Sequence, residues 1–166
     1  MLLDIFTIFH VALSLIGIAS GFFVLAGLLK SERRDGWTAI FLTTTAATSV
    51  TGFMFPFHGV TPGIVIGIIS VLLLALAIPA RYRFHLAGAW RRTYVITSLL
   101  ALYFNVFVLI VQLFHRVPVL RELAPTQSEP PFAVVQLAVL VVFLILGALA
   151  TIRFRSEPLR AASAHH

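Results

Sequence analysis

Apolar and polar positions alternate in long blocks along this chain. Five apolar runs, at 5–29, 38–57, 62–80, 93–114 and 132–152, are separated by short polar or Pro-rich segments. Each run approaches the ~20 residues a helix needs to cross a hydrocarbon core at about 1.5 Å per residue. None alternates with a period of two, which disfavours a membrane β-barrel. The expected fold is all-α: one domain over 1–155, an integral membrane bundle of five transmembrane helices, followed by a cytoplasmic tail over 156–166. The closing His165 and His166 read as the start of an expression tag.

Composition agrees. The chain has 166 residues, is 60% hydrophobic and has only 11% charged residues. A chain this short and apolar cannot bury its hydrophobic surface in a water-soluble core. Cysteine is absent, which removes thiol chemistry and Cys-ligated metal or cluster sites. The net charge of +6 does not point to nucleic acid, because the basic residues sit between the apolar runs. Lys30, Arg33, Arg34, Arg81, Arg83, Arg91, Arg92, Arg153, Arg155 and Arg160 fall on one side of a five-span bundle, and only Arg116 and Arg121 on the other. The positive-inside rule then puts the N-terminus outside and the C-terminus in the cytoplasm. The first run lacks a basic leader and is too long for a signal peptide. Arg81, Arg83, Arg91 and Arg92, interleaved with aromatic residues, are expected to meet anionic lipid headgroups.

Polar residues inside spans are costly and therefore informative. His10, Ser14, Gly17 and Gly21 share one face of the first run, and Gly17/Gly21 and Gly63/Gly67 are GxxxG pairs suited to close helix approach. The second run carries a Thr-rich stretch, 43–51, that suits a central position. Ser98, Asn105 and Gln112 recur at intervals of seven in the fourth run, a stripe of amides that need partners in hydrocarbon. Gln136 and Gly147 share a broad face of the fifth. The middle of every span lacks Asp, Glu, Lys and Arg, which disfavours a transporter with an acidic proton carrier. The single lysine, Lys30, lies in a loop, which excludes a retinal Schiff base in a span.

Three histidines lie towards the outer side: His10 in the first span, His58 in the tight 56–62 hairpin and His115 closing the fourth span. Imidazole ligates transition metals and haem. His10, His58 and His115 are the candidate metal ligands. With Asn105 and Gln112 they are the candidate cofactor-binding residues, for haem b, a metal ion or a quinone. The outer loop 116–131 would be a lid.

Two stretches, ALYFNVFVLIVQ (101–112) and LAPTQSEPPF (123–132), are similar to segments of small bacterial inner-membrane proteins with about five transmembrane helices. That resemblance covers about the C-terminal half. It implies a multi-pass protein of a bacterial inner (cytoplasmic) membrane and carries over no catalytic or binding residue. No nucleophile–base pair, metal-hydrolase motif or phosphate-binding loop occurs. The function expected is therefore ligand binding near the outer face. The alternatives are a non-catalytic accessory subunit, packing against a larger membrane complex, and a small transporter or channel formed by a homo-oligomer.

Overall fold

The computed structural model describes residues 2–56, 59 and 61–155. His58, Phe57 and the tail 156–166 with its terminal histidines lie outside the described residues. The order is α1 (Leu2–Lys30), α2 (Asp35–Phe53), α3 (Pro62–Tyr82), α4 (Ala89–Arg116), the short α5 (Pro118–Leu123) and α6 (Pro130–Arg153). No strand occurs among the described residues. Four helices, α1, α3, α4 and α6, are long and apolar enough to cross a membrane. The Thr-rich α2, with 19 residues, is not one of these four.

Local chemistry sets the boundaries. Helix α1 ends in a Schellman motif: Ser31 takes φ of 58°, its N–H donates to the Leu28 carbonyl, and the Glu32 N–H donates to Gly27 at 2.8 Å. Thr61 caps α3, its hydroxyl oxygen accepting from the Ile64 N–H, and Pro62 occupies the first turn where a missing N–H costs nothing. Pro118 and Pro130 open α5 and α6 in the same way.

Antiparallel neighbours pack in chain order, α1 on α2, α2 on α3 and α3 on α4, while α4 and α1 both meet α6. The main core gathers Leu25, Phe41, Leu74, Tyr94, Leu102 and Phe143 with their neighbours. At its upper edge is a tight waist. A Cβ on Gly21 would lie 2.5 Å from Leu102 Cδ1 and 3.0 Å from the Phe41 ring. Here the first GxxxG pair lets α1 approach α2 and α4 closely. Gly67 of the second pair similarly admits the Phe53 ring, 2.9 Å from where its Cβ would be.

The α1–α2 turn, the α3–α4 turn and the end of α6 meet at one end of the bundle. Arg81, 3% exposed, pairs with Asp35 and lies 5.4 Å from the centre of the Tyr94 ring. The Tyr94 hydroxyl is 3.4 Å from that of Thr38. Arg91 donates to the Phe154 carbonyl, and the Arg155 N–H donates to Ser31 Oγ at 2.9 Å. Two of the four arginines assigned to lipid headgroups thus turn inward. A buried guanidinium needs a carboxylate, carbonyl or aromatic face, and the ends of neighbouring helices supply all three. Arg83 and Arg92 stay exposed.

Candidate functional site

Beyond the waist the helices separate. A cleft of about 800 Å³ opens between the first half of α1, the end of α2, the start of α3 and the end of α4. Its size falls within the range of small-molecule sites, roughly 300–1,000 Å³. The walls are mixed. Val11, Leu15, Ile64, Val108 and Leu109 are apolar, while His10, Ser14, Thr48, Ser49, Asn105 and Gln112 are polar.

Helical periodicity explains how the polar groups converge. On α4, positions 105, 109, 112 and 116 fall on one face, so the amide stripe lines the cleft and Arg116 extends it. On α1, positions 7, 10 and 14 do the same. Asn105 Nδ2 donates to Thr45 Oγ1 at 3.2 Å, tying α4 to α2 near the floor. At the other end of the stripe, Arg116 Nε donates to Gln112 Oε1 at 3.3 Å. Thr48 Oγ1, buried in the wall, has no hydrogen-bond partner among the described residues.

The hydrogen-bond network assigns the tautomer of His10. Its Nδ1 is 2.8 Å from Thr51 Oγ1. That hydroxyl donates its one hydrogen to the Ala47 carbonyl at 2.7 Å, sharing it with Thr48 O at 3.2 Å. Its oxygen is left as an acceptor, so Nδ1 carries a proton and donates to it. The Phe55 ring stands edge-on to the imidazole, 5.1 Å between centres.

Of the five residues expected at the site, His10, Asn105 and Gln112 line this one cleft. His58 lies outside the described residues. His115 does not join them: it is exposed and absent from the lining. His10 is therefore the only imidazole among the described lining residues. No group of three or more His, Cys, Asp or Glu is gathered for a metal among the described residues. His10 and His115 do not share this cleft.

The outer loop is not a lid over the cleft. Ala124, just after α5, packs against Ile110 and Phe114 with Phe132 alongside, and Gln127 Nε2 donates to the Val111 carbonyl at 2.9 Å. Residues 110 and 114 lie on the side of α4 away from the 105/112/116 stripe. Arg116 is a polar lining residue that the expected site did not include. Arg116 had a legible signal, since it lies four residues beyond Gln112 on the same stripe.

A second groove of about 450 Å³ lies between α4 and α6, bordered by Leu99, Tyr103, Phe143 and Gly147. It holds almost no polar group and faces outward.

No family model, curated protein or solved structure matches this chain. The chemistry of the cleft is thus the ground for assigning a role.

Proposed function

We propose that this chain is a five-span membrane protein that binds an amphiphile in the α1–α4 cleft. The observation that carries the reading is the cleft itself, with polar groups contributed by facing helices and apolar walls around them. A quinone-type ligand has this character, with an oxygen-bearing head and a hydrophobic tail. Haem or a metal ion is less suited to the described lining, whose one imidazole, two amides, hydroxyls and guanidinium form a hydrogen-bonding set rather than a ligating one.

Helix α2 is the fifth span in this reading. Its 19 residues cover about 28 Å, close to a hydrocarbon core of about 30 Å. Its polar hydroxyls are largely settled inside the helix, as Thr44 donates to Ile40 O, Ser49 to Thr45 O and Thr51 to Ala47 O. The three basic segments then lie together on the cytoplasmic side, which their mutual contacts support, and the cleft opens on the outer side of a bacterial inner membrane. Arg83 and Arg92, exposed at the cytoplasmic end, meet anionic headgroups.

The test is native mass spectrometry of the protein purified in mild detergent from its own membranes. Wild type should release a bound small molecule on activation, and Ser14→Phe, which fills the cleft, should not. A folded wild type that carries no small molecule but co-purifies with another membrane protein would favour the accessory-subunit reading instead.

A further inference from the structure

The polar end of the cleft is built to donate. Among the described lining residues there is no Asp or Glu, while Arg116 is a fixed cation. Gln112 could balance it with an amide oxygen, but that oxygen accepts from Arg116 Nε. What the pair offers a ligand is therefore the Gln112 amide N–H groups beside a guanidinium. Asp4 stands one turn before Thr7 on α1 and is not in the lining, and Glu122 and Glu129 belong to the segment packed on the opposite side of α4. Charge-assisted hydrogen bonds from guanidinium to phosphate or carboxylate are the strong ones, and guanidinium matches both geometrically.

We propose that the ligand of this cleft is an amphiphile with an acidic head, a phosphate or a carboxylate, held at Arg116 and Gln112 with its chain against Val11, Leu15, Val108 and Leu109. The inference rests on the amphiphile-binding reading and specifies its head chemistry. The chain is required as well as the head, because apolar side chains form much of the cleft and the cation alone sits at its rim.

The experiment uses the full chain in nanodiscs of zwitterionic lipid doped with equal amounts of dodecyl phosphate, dodecanol or dodecyltrimethylammonium. Bound probe is counted by native mass spectrometry. Wild type should retain dodecyl phosphate about tenfold over dodecanol and reject the ammonium probe, tenfold being about 1.4 kcal/mol. Arg116→Gln should bring phosphate and alcohol to near parity while still binding the alcohol. Arg92→Gln, at the other end of the bundle, should leave the preference intact. Ser14→Phe should lose both the phosphate and the alcohol, with Thr7→Phe as the second filling variant if the first does not fold. Equal retention of phosphate and alcohol by wild type, with loss of both on filling the cleft, overturns the acidic head and leaves amphiphile binding standing. Retention of no probe overturns both. Displacement of dodecyl phosphate by inorganic phosphate at matching concentration overturns the need for a chain.

Discussion

Gly21→Ala should destabilise the bundle by overpacking its waist. The new Cβ would lie 2.5 Å from Leu102 Cδ1 and 3.0 Å from two atoms of the Phe41 ring, closer than carbon atoms tolerate. Both neighbours are 1% exposed, so neither can swing away into lipid. Overpacking of this kind costs about 1–3 kcal/mol. Leu102→Val deletes the Cδ atoms and alone should cost about 0.5–1.5 kcal/mol, the usual loss for one methylene. In the double variant the Cδ1 clash is gone and only the Phe41 contact remains. Its cost should fall below the sum of the single costs by about 1 kcal/mol, the coupling expected of touching residues. The assay is reversible unfolding in mixed micelles, followed by helical circular dichroism. Strict additivity, or a Gly21→Ala cost below about 0.5 kcal/mol, would refute the close approach of α1 to α4 at this point, and with it the floor of the cleft.

Three further outcomes follow from particular contacts. Asp35→Asn should destabilise by about 1–2 kcal/mol in the same assay, less than a fully buried pair, because the Asp35 side chain is 73% exposed while Arg81 is 3%. Arg81→Met added to it should recover stability, since the uncompensated buried charge goes with it. Gln136→Leu should be neutral or stabilising: Gln136 Oε1 is buried without a partner among the described residues, and the Phe107 carbonyl that accepts from Nε2 keeps its place in the α4 ladder. At Glu129 desolvation pushes the carboxyl up, but hydrogen bonds from Thr126 and Ser128 outweigh it and hold it below the usual carboxylate value. A depressed folded value stabilises above the unfolded one and is lost as pH falls through the lowered value. The protection factors of the Thr126 and Ser128 amides, which correct for slower intrinsic exchange in acid, should therefore fall on acidification, and Glu129→Gln should show the low protection already at neutral pH.

What could be read from the chain alone was set by periodicity. Long apolar runs define helices, because hydrocarbon leaves the backbone no other partner, and the helices found begin and end within a few residues of those runs. The seven-residue stripe of Asn105 and Gln112, and the face bearing His10 and Ser14, likewise predicted groups that the fold brings together. Relations that depend on rotation between helices were not legible. His115 is adjacent in sequence to Arg116 yet absent from the cleft lining. Arg81 reads as a headgroup contact until Asp35, forty-six positions earlier, is packed against it. The 116–131 segment reads as a lid because it is long and polar. Ala124 buries on the far side of α4 because Ile110 and Phe114 present an apolar seat there.

The account's central claim is that an amphiphile occupies the α1–α4 cleft, and photocrosslinking tests it most directly. Full-length protein in nanodiscs is irradiated with dodecyl phosphate bearing a diazirine mid-chain, digested and mapped by mass spectrometry. The account predicts labels that converge on Val11, Leu15, Val108 and Leu109, the cleft walls, and that vanish in Ser14→Phe. Labels confined to Leu99, Phe143 and Leu144 in the apolar groove between α4 and α6, unchanged by Ser14→Phe, would contradict it.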